Sequence, residues 1–146
     1  GAIDEHGLDA CARVCADSPL IDPGIVEAAI ADFRRGDVDL VTNTYPQRTA
    51  PHGQSVEVIS AEALRTAIER QRRKADREHV TPYLYSHPNV FRIRNFMPVG
   101  DAWAESTAVD LEEDLARVEA ILLESVRSSS QTRTSDLLRL TEQDAA

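Results

Sequence analysis

The chain has 146 residues, 42% of them hydrophobic, which is enough for the core of one ordinary domain. Its formal net charge is -9, and so acidic a chain lacks the broad basic surface that binds nucleic acid or an anionic membrane. No stretch approaches the roughly eighteen apolar residues of a membrane span, and the first residues do not read as a charged-then-apolar leader, so we expect a cytoplasmic protein with small-molecule or protein partners.

The first predicted unit is a strand, a loop and a helix around Asp17. Residues 12–16 are mostly apolar and predict a short strand that ends just before Asp17. Asp22 and Pro23 predict a helix start, because the carboxylate can accept from free backbone N–H groups and proline at the first helical position sacrifices no hydrogen bond. Apolar residues then recur at the helical period as far as Phe33.

The middle of the chain predicts two more strands and a second helix. Residues 38–41 form an apolar run that completes a βαβ unit. Residues 45–53 contain two prolines and a glycine, which are typical of a loop or a hairpin tip. Residues 55–60 alternate polar and apolar side chains, which predicts a half-buried strand, and Ser60 can cap the helix that follows.

The C-terminal part predicts short elements, one longer helix and a tail. Residues 77–88 favour a short helix or turn, and residues 90–96 alternate apolar and basic side chains as a strand does. Residues 108–110 predict a short apolar strand that leads into a helix, and residues 127–146 are polar and predict a flexible tail. The apolar face of that helix is formed by Leu115, Val118, Ile121 and Leu122.

Two aspartates occupy equivalent places in this pattern. Asp17 and Asp110 each follow a predicted strand and precede a predicted helix. In a parallel sheet both side chains would project from the same edge, where ligands bind in open α/β folds. Paired carboxylates suit Mg²⁺, which binds through one or two carboxylates together with substrate phosphates. The pattern predicts a Mg²⁺ site, and each aspartate also fits the alternative of a turn or cap residue.

His79 lies in a segment that is rich in groups able to bind a ligand. It is flanked by Arg77, Glu78 and Tyr83, which can bind an anionic or hydroxylated ligand, although a structural hydrogen-bonding role is the alternative. The chain has no H-E-x-x-H, C-x-x-C or G-x-S-x-G motif, and its glycines are scattered singly. The sequence therefore does not predict a zinc site, a serine hydrolase or a glycine-rich phosphate loop.

Five blocks of sequence occur in a set order and spacing over residues 10–125. The most specific is Arg-Glu-His-Val-Thr-Pro-Tyr at 77–83. The others are Asp-Ser-Pro-Leu-Ile-Asp-Pro at 17–23, Thr-Asn-Thr at 42–44, Gly53 with Val-Glu-Val at 56–58, and Val-Asp at 109–110 with Glu-Asp-Leu at 113–115. Together they resemble the cytidylyltransferase family, in its spore coat polysaccharide biosynthesis branch, which is related to the enzymes that make CMP-activated acidic sugars.

The resemblance implies an α/β fold of the nucleotide-diphospho-sugar transferase type, Rossmann-like, with a mixed sheet flanked by helices. It implies that an oxygen of a sugar or sugar acid attacks the α-phosphate of CTP and that pyrophosphate leaves. In the family, the catalytic aspartates that match Asp17 and Asp110 hold Mg²⁺. The residues in or near the sugar pocket would be Glu57, Arg77, Glu78, His79 and Tyr83. The resemblance also implies a homodimer to which the middle hairpin contributes.

The match covers the C-terminal part of the family's fold. We expect residues 1–126 to form that part, with the N-terminal nucleotide-binding half and its glycine- and lysine-containing loop missing. The chain has Ser55 where the family usually has aspartate in Gly-x-Asp-Val-Glu, and Ser-Thr-Ala at 106–108 where it usually has Arg-Trp-Thr. These departures leave open an alternative, a non-catalytic binding or dimerisation module derived from the same fold.

Overall fold

The structure is a computed structural model that describes residues 1–70, 80–98 and 106–128. Most of the predicted elements that fall on these residues are present, but residues 108–110, predicted as a short strand, belong to a loop. In chain order the described helices and strands are α1 (Ala2–Glu5), β1 (Ala10–Val14), α2 (Pro23–Phe33), β2 (Leu40–Thr42), β3 (Val56–Ser60), α3 (Ala61–Arg70), α4 (Val80–Tyr85), β4 (Ile93–Asn95) and α5 (Glu112–Ser128).

A mixed four-stranded sheet in the order β1-β3-β2-β4 organises the described residues. β3 pairs antiparallel with both β1 and β2, and β4 pairs parallel with β2. β1, β2 and β4 therefore run in one direction, and β1-α2-β2 is the predicted βαβ unit with an antiparallel strand inserted between its strands. We call the edge where these three strands end and β3 begins the carboxyl edge. The predicted mixed sheet flanked by helices is confirmed.

The two faces of the sheet are covered by different helices. α2 packs on one face, and its first turn forms as predicted, with Pro23 at the first position and the Asp22 carboxylate accepting from the Gly24 N–H at 2.7 Å. α3 and α4 pack on the other face, and the Ser60 hydroxyl caps α3 by accepting from the Ala63 N–H at 3.1 Å. The buried core on the α2 face consists of Ile25, Ala29, Val41, Val56, Val58 and Phe96. That on the other face consists of Leu40, Ile59, Ala63, Ala67, Leu84 and Phe91.

β3 is buried on both faces, so the prediction of a half-buried strand over residues 55–60 is wrong. Its first four residues are all buried, including Glu57, which is 5% exposed. The reason is its place in the sheet, because β1 and β2 flank it and helices lie over both faces. The polar side chain in the middle of the pattern, Glu57, therefore faces other groups of the chain rather than water.

β1 is an edge strand and is largely exposed. It spans Ala10–Val14, two residues earlier than predicted at each end, so Cys15 and Ala16 belong to the loop before Asp17. Among the described strands β1 pairs with β3 alone, and Val14 at its end is 44% exposed. The strand nevertheless leads towards Asp17 at the carboxyl edge, as predicted.

α5 packs through fewer of its apolar residues than predicted. Val118 and Ile121 are buried against Leu20, whereas Leu115 and Leu122 are 47% and 42% exposed. Two of the four residues of the predicted apolar face are therefore buried, because the surface that α5 packs against the Leu20 cluster is narrower than the row of apolar side chains on the helix. Among the described residues, no helix is both long and apolar enough to cross a bilayer. The predicted tail lies outside the described residues from 129 onwards.

Candidate active site

Asp17 and Asp110 lie on two loops that are joined by a backbone hydrogen bond. Asp17 is in the loop of residues 15–22 after β1, and Asp110 ends the loop of residues 106–110 before α5. The N–H of Val109 donates to the carbonyl oxygen of Asp17 at 2.8 Å. Both aspartates are exposed, and the Asp17 carboxylate accepts from the Ser18 hydroxyl at 2.9 Å. Two carboxylates distant in sequence therefore belong to adjoining segments that face solvent.

The start of α5 is capped by Asp114 rather than by Asp110. The Asp114 carboxylate accepts from the N–H groups of Leu111 at 3.0 Å and Asp110 at 3.2 Å, and Arg117 donates to it at 2.8 Å. The backbone bonds from Leu111 and Asp110 lower the pKa of Asp114 below its ordinary value. Among the described hydrogen bonds at this end of α5, the side-chain acceptor is the Asp114 carboxylate and not that of Asp110.

The fully buried amide of Gln54 connects the two loops. Its Oε1 accepts from the Asp22 N–H at 2.8 Å, and its Nε2 donates to the Leu20 carbonyl at 2.9 Å. The same Nε2 donates to the hydroxyl of Thr107 at 2.8 Å. Gln54 is 0% exposed, so water cannot replace these partners. One side chain thus holds the loop that carries Asp17 and the loop that carries Asp110.

Asn43 plays the corresponding part at the start of the middle loop. This residue is 0% exposed and follows β2 directly. Its Nδ2 donates to the Gln54 carbonyl at 2.7 Å, and its Oδ1 accepts from the Val56 N–H at 3.0 Å. Its own carbonyl accepts from the Thr49 N–H at 2.9 Å. The middle loop is therefore pinned at both ends, and Gln54 is fixed where it reaches the other loops.

Gly53 brings the middle loop into close contact with residues 107 and 108. Its φ is +86°, and a Cβ added there would lie 2.4 Å from the backbone nitrogen of Ala108. The N–H of Thr107 donates to the His52 carbonyl at 2.8 Å across this contact. Only glycine fits both the left-handed conformation and the close approach.

A second polar cluster crosses the sheet near the carboxyl edge, on the α3 and α4 face. In the strand register Glu57 lies opposite Arg13 on one side and Thr42 on the other. Arg13 Nη1 donates to Glu57 Oε2 at 2.6 Å, and the Tyr85 hydroxyl donates to Glu57 Oε1. Both carboxylate oxygens of Glu57 are therefore occupied by groups of the same chain.

The charges of this cluster are unevenly exposed. The Glu57 side chain is 7% exposed, whereas that of Arg13 is 41% exposed. Partial burial opposes the charged form of Arg13, but the hydrogen bond and negative charge of Glu57 outweigh it and raise the pKa of the guanidinium. Burial, followed by the negative charge of Glu57, raises the pKa of Tyr85 well above its ordinary value. The cluster is thus a buried carboxylate with a neutral phenol on one side and a solvent-facing cation on the other.

Tyr45 extends the cluster towards solvent. Its ring stacks on that of Tyr85 with centroids 4.7 Å apart, and both residues are partly exposed. The hydroxyls of Thr42 and Thr44 lie 3.2 Å and 3.1 Å from the Tyr85 oxygen. Partly exposed aromatic rings next to a hydroxyl, in a cluster that also contains the half-exposed Arg13, can contact a ligand with both apolar and polar faces.

The remaining predicted site residues do not join this cluster in the described contacts. Tyr83 stacks on His87 with centroids 4.1 Å apart and meets Phe91 edge-on at 6.2 Å, so its ring belongs to the packing beneath α4. Arg77, Glu78 and His79 lie outside the described residues. The structure thus connects Asp17 with Asp110, and separately surrounds Glu57 with Arg13 and Tyr85.

The two aspartates offer carboxylate oxygens, which are the ligands that hard cations take. Among the described residues, no group of three or more histidine, cysteine or acidic side chains could hold a metal ion. Two exposed carboxylates on adjoining loops nevertheless fit Mg²⁺, which commonly takes one or two carboxylates and fills its other positions with water and phosphate oxygens. Asp17 and Asp110 are the residues that would hold it.

Comparison with known proteins extends the resemblance along the chain. The family model for cytidylyltransferases matches residues 2–145. The chain belongs to the cytidylyltransferase family. A solved cytidylyltransferase from Leptospira borgpetersenii serovar Hardjo-bovis superposes with a TM-score of 0.81 over 99% of this chain, at 23% sequence identity, and confirms the Rossmann-like nucleotidyltransferase fold.

The chain spans only part of the length of its relatives. It covers 60% of the Leptospira cytidylyltransferase. An uncharacterized protein of Methanocaldococcus jannaschii is 31% identical over 85 residues, which is 58% of this chain and 33% of that protein.

Sequence reasoning missed several residues around the sites of this family member. Arg13 stands in a short apolar strand, and a single cation there is a signal for a charged partner, but the partner depends on the antiparallel register with β3. Tyr85 is two residues beyond the predicted Tyr83, on the other side of a short helix. No sequence motif marks Gln54, because its role as a bridge depends on how three loops meet around its side chain.

Proposed function

We propose that the protein is a CTP-dependent nucleotidyltransferase that activates a sugar or sugar acid and releases pyrophosphate. The observation that carries the proposal is the hydrogen bond from the Val109 N–H to the Asp17 carbonyl. This bond joins the two loops that carry the exposed carboxylates of Asp17 and Asp110, in a chain of the cytidylyltransferase family. A hydroxyl of the sugar would attack the α-phosphate, and pyrophosphate would be the leaving group.

Asp17 and Asp110 would hold Mg²⁺ against the phosphates. When bound, the ion would neutralise the negative charge that develops during phosphoryl transfer. The two loops would contribute by holding the carboxylates in place before the substrate arrives, since the hydrogen bonds of Gln54 and the close contact at Gly53 already fix them. Such preorganisation lowers the cost of reaching the reactive geometry.

The sugar would lie near the cluster of Arg13, Glu57 and Tyr85. Because Glu57 is buried and each of its carboxylate oxygens already accepts a hydrogen bond, we assign Glu57 the part of orienting Arg13 and Tyr85 rather than of contacting the sugar itself. Arg13 is the half-exposed cation of the cluster and could meet an anionic or hydroxylated group. Arg77, Glu78, His79 and Tyr83 stay proposed sugar-pocket residues on the family resemblance.

Other parts of the proposal concern the whole protein. The relatives contain chain beyond the matched part, and we propose that the cytosine base and the triphosphate are gripped there. We also propose that the protein is a homodimer of polysaccharide biosynthesis, as the resemblance implies. Light scattering of the full-length protein would return twice the mass of one chain if the dimer forms.

The activity is tested by pyrophosphate release from CTP in the full-length protein, with a panel of sugars and sugar acids and with Mg²⁺ present or chelated. We expect Mg²⁺-dependent release that Asp17→Asn and Asp110→Asn each lower by at least about a hundredfold, because each removes a ligand charge. Asp37→Asn is the matched control, since the Asp37 side chain is 96% exposed and lies away from these loops. Wild-type turnover in either active-site variant would refute the metal role.

The second candidate function is the non-catalytic module. It is favoured by the segment of residues 106–108, where the family usually has Arg-Trp-Thr. Thr107 and Ala108 are each 6% exposed and pack against the middle loop instead of offering a basic or aromatic contact to a ligand. Calorimetric titration of the full-length protein with CTP and Mg²⁺ separates the two, because a non-catalytic module that lost the nucleotide site would give no heat of binding.

A further inference from the structure

The two loops with the aspartates are connected by few polar contacts. Between the loop of residues 15–22 and the loop of residues 106–110 there is one direct described hydrogen bond, from Val109 N–H to the Asp17 carbonyl. Leu20 adds apolar packing near Val109. Among the described residues, Gln54 is the one side chain that hydrogen-bonds to both loops.

The direction of the hydrogen bonds around Gln54 is fixed by chemistry. Its Nε2 has two hydrogens, and the Leu20 carbonyl and the Thr107 hydroxyl take one each. The Thr107 hydroxyl accepts from Gln54 and donates in turn to the His52 carbonyl at 3.2 Å. Removing the hydroxyl would leave one buried N–H of Gln54 without its partner, which buried groups rarely tolerate, whereas the His52 carbonyl would still accept from the Thr107 N–H.

The affinity for Mg²⁺ depends strongly on the distance between the residues that ligate it. Mg²⁺ requires nearly octahedral geometry with oxygens at about 2.0–2.1 Å, so a small shift between two ligating loops weakens binding. A displacement of about 1 Å in a reacting assembly can cost a hundredfold in rate. A buried bridge between the two loops is therefore placed where it would affect the metal rather than only the fold.

We propose that Gln54 is a positioning residue, and that its hydrogen bond to Thr107 sets the separation between Asp17 and Asp110 for Mg²⁺. The inference rests on the proposed function in so far as it concerns the metal. The bridge itself, however, is a property of this chain that can be measured without any reaction.

The first arm of the test is amide hydrogen exchange at Val109 in the full-length protein. Thr107→Val removes the hydroxyl at nearly constant volume, and Thr107→Ser keeps it. We expect the Val109 amide to exchange about tenfold faster in Thr107→Val, while the amides of β3 keep their protection and Thr107→Ser behaves as the wild type. Thr107→Ala removes the hydroxyl without a new methyl against Gly53 and replaces the valine variant if that one does not fold.

The second arm measures the Mg²⁺ concentration that gives half-maximal pyrophosphate release. We expect this concentration to rise several-fold in Thr107→Val and to return to the wild-type value in Thr107→Ser. Ile59→Val is the control for lost stability, because Ile59 is buried on the α3 and α4 face in a cluster that includes no residue of either loop. A purely structural role would raise the Mg²⁺ requirement equally in Ile59→Val.

The outcomes separate the two claims. Unchanged exchange at Val109 in both hydroxyl-free variants overturns the bridge. Faster exchange with an unchanged Mg²⁺ requirement, or one matched by Ile59→Val, overturns the positioning role. If the wild type shows no Mg²⁺-dependent release at all, the proposed function fails and the metal part of the inference falls with it, while the exchange arm still decides whether Gln54 holds the loops together.

Discussion

Substituting Gly53 should damage the active-site loops more than any comparable glycine change elsewhere in the described chain. At φ +86° an alanine adopts the left-handed conformation, which costs about 1–2 kcal/mol. In addition, the new Cβ would lie 2.4 Å from the Ala108 nitrogen and 2.4 Å from the Thr107 hydroxyl oxygen. The loops must therefore separate before the methyl group fits.

The distance by which the loops must move apart determines how much stability Gly53→Ala should lose. Restoring an ordinary van der Waals contact requires the loops to move apart by about 1 Å. That movement would stretch the bonds from Thr107 to His52 and from Gln54 to Thr107, both 2.8 Å, beyond useful length. With about 1 kcal/mol lost for each bond, the free energy of unfolding should fall by about 3 to 4 kcal/mol in total.

Urea unfolding of Gly53→Ala and Gly36→Ala provides the measurement. Gly36 has a similar φ of +81°, but an added Cβ there meets nothing within 4 Å, so its variant isolates the backbone strain. We expect Gly36→Ala to lose about 1 kcal/mol, and the difference between the two variants to report the contact with residues 107 and 108. Equal losses would refute the claim that this contact holds the loops.

Two further predictions concern the cluster around Glu57. Arg13→Met should lower the free energy of unfolding by about 2 kcal/mol, because it leaves the Glu57 carboxylate buried without its charged partner Arg13. In urea unfolding, the double variant Arg13→Met with Glu57→Gln should recover part of this loss. A loss that Glu57→Gln does not reduce would contradict the pairing. Because folding raises the Tyr85 pKa above its ordinary value of 10.0, the unfolded chain loses that proton first, so stability should be full below about pH 10 and decline above it. Urea midpoints measured between pH 9 and 11 should show a flatter decline for Tyr85→Phe and an unchanged decline for Tyr83→Phe. Parallel curves for the wild type and Tyr85→Phe would contradict a raised Tyr85 pKa in the folded chain.

The sequence predicted the elements well because their signals are local. Asp22 with Pro23, and Ser60, act as helix starts through contacts within a few residues, and both predictions are confirmed. The polar and apolar alternation of residues 55–60 led to the wrong prediction of a half-buried strand. The alternation shows that the two faces of the strand differ in polarity, but not whether the polar face meets water or protein. An inserted antiparallel strand is buried on both sides, and Glu57 then meets Arg13 and Tyr85 where water was expected.

The site was predictable only in outline. Asp17 and Asp110 were singled out by their places before helices, and a backbone hydrogen bond does join their loops, although the described residues 106–110 form no strand. Gln54 and Thr107 could not be predicted, because their importance comes from the meeting of segments more than fifty residues apart. Such contacts are decided by strand order and loop packing, which no short stretch of sequence encodes.

Manganese binding tests the central claim that Asp17 and Asp110 form one metal site. In the full-length protein with CTP, free Mn²⁺ would be followed by electron paramagnetic resonance as the ion is titrated, with Asp37→Asn as the exposed control. We predict one bound ion per chain and an affinity that falls at least about tenfold in both Asp17→Asn and Asp110→Asn, because each loses a charged ligand. Mn²⁺ affinity in both variants equal to that of Asp37→Asn would contradict the account.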